Sequence, residues 1–237
     1  MRRRTRLHSV ARWLGAPGSE RLSGSVAVLS PHLDDAVLSL GAAIAASSGS
    51  DIAIVTVLAG DPDSDLPAGK WDAGAGFETA GEAARARRRE DELACSDVGA
   101  RPVWLSFADE QYPRDQGDGE IWAAVQEALG SAETVLLPGF PLMHQDHAWL
   151  LALAQREGLP GRRVGHYVEQ PYAAAWAPGP PGGGWEPLAA ALSHRLTKLR
   201  ACRRYASQLP LLQRHGRILF PMLRYEAARG GEAVRWS

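Results

Sequence analysis

Apolar residues along the chain fall into short runs and longer periodic stretches that alternate. Ser25–Ser30 (SVAVLS) is a β-branched apolar run that ends at a proline, the pattern of a buried strand. Ala36–Ser48 has helix-forming residues with one apolar face, and Gly49 follows as a stop. Asp51–Leu58 (DIAIVTVL) is a second buried run, so the three segments predict a β-α-β unit. The alternation continues with a charged helix over Glu82–Val98, a strand over Pro102–Phe107, a helix over Glu120–Leu129 and a strand over Thr134–Leu137. A helix over His147–Glu157 and a strand over Arg163–Glu169 complete the series, and a last helix is predicted from Leu188 to about Ser207. Strands alternating with helices predict an α/β fold, a Rossmann-like three-layer sandwich around a mainly parallel sheet.

Two stretches interrupt the rhythm. Gly60–Phe77 has no regular period and is too long for an ordinary connection, which marks it as a functional loop. Ala177–Gly184 (APGPPGGG) reads as a flexible insertion. Residues 1–24 are basic and turn-rich, a lead-in to a single domain over 25–237. The tail after Pro210 is less regular, with short strands expected around Gly230 and Gly231.

The composition narrows the classes. At 237 residues the chain is long enough for one substantial core. A formal net charge of -1 creates no field that attracts nucleic acid or a membrane surface. No uncharged apolar run is long enough to span a bilayer, and the basic start is not followed by a signal-like apolar stretch. The two cysteines, Cys95 and Cys202, form no close pair, so a cytoplasmic, reducing location is expected. Oligomeric state is not legible, because no heptads or symmetric patch stand out.

Chemistry gathers after two of the predicted strands. His32, Asp34 and Asp35 follow the first, in Pro31-His32-Leu33-Asp34-Asp35. His144, Asp146 and His147 follow the strand at Thr134–Leu137. Ligands of open parallel sheets bind beyond the carboxyl ends of strands, so both clusters are expected at one edge. Positions three apart share a helix face, which lets His32 and Asp35 address one ion while Asp34 points elsewhere. A His/Asp/His set suits zinc with an open position for water, though iron or manganese accepts the same donors. Taken singly, each cluster is equally explained as a helix cap or as surface histidines.

Together the two motifs resemble those of the PIG-L/LmbE family, zinc-dependent deacetylases of N-acetylglucosamine-type substrates. That family's Ala-His-Pro-Asp-Asp-Glu appears here as Pro31-His32-Leu33-Asp34-Asp35-Ala36, and its His-x-Asp-His as His144-Gln145-Asp146-His147. The resemblance runs from about Val26 to Tyr172 and extends to Tyr205-Ala206-Ser207-Gln208. It implies one zinc per chain on His32, Asp35 and His147, with Asp34 as general base. It further implies that His144 faces the developing oxyanion, oriented by Asp146, as catalytic partners of Asp34. Arg87 resembles a substrate-contacting arginine and Asp109 an acid that binds sugar hydroxyls. Trp71, in the long loop, is a candidate aromatic platform for a sugar.

Leu33 and Ala36 depart from the family pattern. Leu33 affects only the path of the loop, whereas Ala36 removes a polar contact and places standard substrate recognition in question. The expected reaction is removal of an N-acetyl or larger N-acyl group from an amino sugar or its conjugate, with natural-product tailoring as one setting. A non-sugar amide such as a thiol conjugate would use the same residues. A non-catalytic glycan-binding module is the reading from another class, and the absence of a GxGxxG motif argues against dinucleotide binding.

Overall fold

The computed structural model describes residues 20–177, 179, 183–212 and 218–237. Most of the lead-in and part of the 177–184 insertion therefore lie outside the described residues. Seven strands form one sheet: β1 (Ser25–Ser30), β2 (Asp51–Thr56), β3 (Arg101–Trp104), β4 (Thr134–Phe140), β5 (Arg163–Val168), β6 (Glu186–Pro187) and β7 (Ala233–Trp236). Their order is β3-β2-β1-β4-β5-β7-β6. The first five run parallel, while β7 pairs antiparallel with both β5 and β6.

The two sheet faces follow from strict alternation of side chains. Val26, Val28, Ile52, Ile54 and Leu136 point to one face. There they meet α1 (Asp35–Ala46), α3 (Ala80–Val98) and α7 (Leu192–Cys202). Ala27, Leu29, Ala53, Val55, Val135 and Leu137 point to the other, packed on α4 (Asp118–Leu129) and α5 (Gln145–Glu157). Burial on both faces explains why these strands read as continuous apolar runs.

Several boundaries move by a few residues. Thr79 caps α3 by accepting the Glu82 N–H at 3.1 Å, so this helix starts two residues before the sequence boundary. The Gly60–Phe77 loop contains a short helix, α2 (Lys70–Gly74). The last predicted helix is shorter than Leu188–Ser207, because β6 and an extended Ala191 cap precede α7. The apolar pattern did not reveal α6 (Tyr172–Trp176), α8 (Leu209–Leu212) or α9 (Leu219–Arg229). The helix α9 ends at Gly230, whose φ of 88° is the left-handed cap conformation, and the expected tail strand begins at Ala233. Among the described residues, no helix is long and apolar enough to cross a membrane.

β1 and β4 are neighbours at the point where strand order reverses. Connections leave this point in opposite directions and open a crevice beyond the strand ends. The loops that follow these two strands, together with the first residues of α1 and α5, carry His32–Asp35 and His144–His147.

Candidate metal centre

The loop after β1 is shaped by its own hydrogen bonds. Ser30 Oγ donates to the His32 carbonyl at 2.6 Å and accepts the Ala36 N–H at 3.1 Å. Asp35 then turns back, and its Oδ2 accepts the His32 backbone N–H at 2.9 Å. The same oxygen lies 3.1 Å from His32 Nδ1 and 3.1 Å from His147 Nε2. These two ring nitrogens are 3.3 Å apart. His32, Asp35 and His147 thus present three donor atoms at the corners of a nearly equilateral triangle.

The outward-facing ring nitrogens are held by two further carboxylates. His32 Nε2 is 3.1 Å from Asp146 Oδ2, and His147 Nδ1 is 2.6 Å from Glu169 Oε2. Each carboxylate favours a proton on the nitrogen it faces, which leaves the inner nitrogen's lone pair for a cation. A zinc ion about 2.0–2.1 Å from tetrahedral donors separates those donors by roughly 3.3–3.4 Å. The triangle's edges of 3.1, 3.1 and 3.3 Å come close to this, so the residues fit a divalent metal.

Electrostatics follow from burial. Burial disfavours charge on His32, but hydrogen bonds to Asp146 and Asp35 outweigh it and push the imidazole up to about 10. His147 is pushed up to about 9, against burial, chiefly by the Asp35 charge. Burial and repulsion from Asp35 push Asp34 up to about 6, while Arg87 and His32 oppose the rise. Asp34 lines the cavity above the triangle, and its neighbour Leu33 is buried. Ala36 packs into the apolar core on the α1 face of the sheet.

His144 caps α5, its Nδ1 accepting the Asp146 backbone N–H at 3.3 Å. That bond assigns the ring proton to Nε2, which lies 3.5 Å from Glu110 Oε1. Burial and the neighbouring His32 and His147 hold the His144 pKa below its ordinary value. Asp146 contacts both His144 and His32. Its carboxylate addresses His32 at 3.1 Å and stands 4.0 Å from His144 Nδ1, so it orients a triangle member while its main chain orients His144. A residue two positions from the cap donates through its backbone N–H, which spacing alone does not distinguish from a side-chain contact.

A cavity of about 570 Å³ opens over the triangle. Arg87, Asp109 and Trp71 all line it. Arg87 is buried rather than part of a solvated helix face, with Nη1 3.4 Å from Asp72 Oδ1 and 3.8 Å from Asp109 Oδ2. Among the described residues, its Nε has no partner. Asp109 accepts from the Gln111 backbone and side chain, both at 3.0 Å. Trp71 stands at the mouth, 36% exposed, with its backbone N–H on Gln111 Oε1 at 2.8 Å.

Sequence reasoning missed Glu169, Asp72 and Tyr172. Glu169 carried a legible signal, an acid at the carboxyl end of a buried strand, where ligand-binding residues gather. Asp72 adjoins Trp71 in the loop already marked as functional. Tyr172 packs edge-on against His147 with ring centroids 5.3 Å apart, a contact that no short-range pattern encodes.

Residues 27–156 match the family model described as PIG-L, GlcNAc-PI de-N-acetylase. No curated protein sequence matches the chain significantly. A triple mutant of a deacetylase in the teicoplanin biosynthetic pathway is similar at 26% identity and a TM-score of 0.70, over 90% of this chain and 96% of that one. A deacetylase of the A40926 pseudoaglycone is similar at 29% identity and a TM-score of 0.70, over 91% and 97%. The N,N'-diacetylchitobiose deacetylase of Pyrococcus horikoshii shares the fold at 18% identity and a TM-score of 0.55, over 89% and 81%. With its motif-bearing strands and their connecting helices inside the matched region, the chain belongs to the PIG-L family.

Proposed function

We propose that the protein is a zinc-dependent hydrolase that removes an N-acetyl or larger N-acyl group from an amino-sugar conjugate. The observation that carries this reading is the donor triangle of His32, Asp35 and His147, beside the buried Asp34 and beneath a cavity of about 570 Å³. Zinc held by these three side chains supplies Lewis acidity for the amide carbonyl and acidifies water.

The chain's own groups perform the proton transfers and the positioning. Asp34 takes the proton of the attacking water and returns one to the departing amine nitrogen. His144 Nε2–H donates toward the carbonyl oxygen as negative charge develops there. Asp146 and Glu169 hold the two metal-binding imidazoles in the required tautomers. Arg87 and Asp109 meet polar groups of the sugar at the cavity wall, and Trp71 offers the substrate a ring.

Similarity to the two deacetylases of the teicoplanin pathway and of the A40926 pseudoaglycone supports tailoring of a glycosylated natural product as the setting. The free, buried Cys95 and Cys202 are in keeping with a cytoplasmic location.

The test compares elemental zinc per chain and amine release from N-acetylglucosamine conjugates across three proteins. Wild type is expected to hold about one zinc and an Asp35→Ala/His147→Ala variant almost none. Asp34→Asn is expected to keep its metal while kcat falls about 10²–10⁴-fold. Undiminished turnover in Asp34→Asn would remove the base assignment, and a wild type that takes up no metal would remove the hydrolase.

A further inference from the structure

The cavity has two chemically different halves. Around the triangle it is lined by carboxylates, imidazoles and Arg87. The opposite side is built from Trp71, Tyr172, Trp176, Leu211 and Leu212, with Gln208 behind the tryptophan. Of these six residues only Trp71 falls within the stretch that matches the family model. Trp176 is 56% exposed and its ring lies 5.8 Å from that of Tyr172, so an aromatic surface faces open space beside the metal centre. A cavity of about 570 Å³ is within the roughly 300–1,000 Å³ that takes drug-sized ligands. It has room for a group attached to the sugar as well as for the sugar itself.

Trp71 is fixed to this side by one bond. Its indole Nε1–H donates to Gln208 Oε1 at 2.7 Å, and Gln208 is almost wholly buried. Gln208 is itself oriented, since its Nε2–H donates to Ser207 Oγ at 2.9 Å. Ser207 donates its backbone N–H and its hydroxyl to the Glu90 carboxylate at 2.8 and 2.7 Å. Tyr205 donates its hydroxyl to Asp91 Oδ1 at 2.8 Å. Glu90 and Asp91 lie on α3 one turn beyond Arg87. One helix therefore sets the polar wall directly and the aromatic wall through Tyr205–Gln208.

We propose that Gln208 is a positioning residue that holds Trp71 in an apolar wall with Tyr172, Trp176, Leu211 and Leu212, and that this wall selects amino sugars carrying an uncharged aromatic or apolar group over the free sugar. The proposal rests on the deacetylase reading for its kinetics. It concerns the group attached to the sugar, which lies away from the reacting amide. Burying one aromatic ring on such a wall favours the conjugate by about 10–100-fold in kcat/KM.

The test uses the zinc-loaded full chain with N-acetylglucosamine and its 4-nitrophenyl β-glycoside, following amine release. Wild type is expected to prefer the aryl glycoside by about 10–100-fold. Gln208→Leu and Trp71→Phe each remove the bond, and each is expected to raise KM for the aryl glycoside about tenfold while kcat changes by less than about threefold. The double variant is expected to cost no more than either single one, because both break the same contact. Unaltered thermal midpoints and zinc content establish that the variants are folded. Equal kcat/KM for the two substrates in wild type, or a double variant whose KM multiplies the single effects, overturns the proposal. Should neither substrate release amine, the deacetylase reading fails. The wall is then read from calorimetric binding of 4-nitrophenyl β-glucoside, which lacks the amide. Weaker binding to Gln208→Leu than to wild type upholds the wall, and equal binding overturns it.

Discussion

Asp35 Oδ2 stands within hydrogen-bonding distance of a backbone N–H and two imidazole nitrogens, so one oxygen organises the whole centre. The carboxylates around the two imidazoles favour their protonated forms. His32 is pushed up to about 10 and His147 to about 9, both against burial, by the carboxylates around them. A metal has to displace those protons, so its apparent affinity should rise with pH until about pH 9–10 and fall below it. Zinc binding measured at several pH values, with proton release followed in weakly buffered solution, checks the sign. No proton release would refute it. Glu169 contributes through its 2.6 Å contact with His147 Nδ1. Glu169→Gln should weaken zinc binding about 10–100-fold without removing a ligand, as read by competition with a chelator.

At the scale of elements, α1 and α7 pack closely across the α1 face of the sheet. A Cβ on Gly41 would come within 3.0 Å of Lys198 Cγ, so the glycine permits the approach. Lys198 then inserts its ammonium between Glu226 on α9 and Glu232 before β7, at 2.5 and 2.6 Å, with all three side chains buried. Glu232 also accepts the backbone N–H groups of Ala42 and Ala43 at 3.0 and 2.7 Å. The cluster thereby joins α1, α7, α9 and β7. Lys198→Met would remove the ammonium that contacts both buried carboxyls and leave only the nearby Arg195 charge, and breaking such a pair costs about 3–5 kcal/mol. Denaturant unfolding should show this loss, together with earlier proteolysis of the segment after α7. A change of less than about 1 kcal/mol would mean that the carboxyls find other partners.

For the whole molecule, pH acts on stability through buried acids as well as through the metal centre. Asp91 is fully buried and pushed up to about 7 by burial, although Trp104 and Tyr205 donate to it. Its pKa is higher folded than unfolded, so its contribution is fully present below the unfolded value of 3.8 and is lost as pH rises through about 7. Asp91→Asn should reduce the fall in unfolding free energy between pH 4 and 8 by a few kcal/mol, and an unchanged slope would contradict this. The sequence by itself determined the α/β alternation, because strands buried on both faces must be apolar at every position and the helices between them must be amphipathic. It also determined the two His/Asp clusters, since each is local and follows its strand within a few residues. Their meeting was decided by tertiary structure, which sets β1 beside β4 at the reversal of strand order. So were the partners that come from distant chain: Glu169 on His147, the Asp146 carboxylate on His32, Asp72 on Arg87 and Gln208 on Trp71. The short elements after Tyr172 were decided there too, because α6 packs on α9, β6 pairs with β7 and the turn before α8 is tied to α3 through Tyr205 and Ser207. Hydrophobic periodicity records which side of an element is buried. It carries no record of what lies opposite, and a binding site is made of what lies opposite.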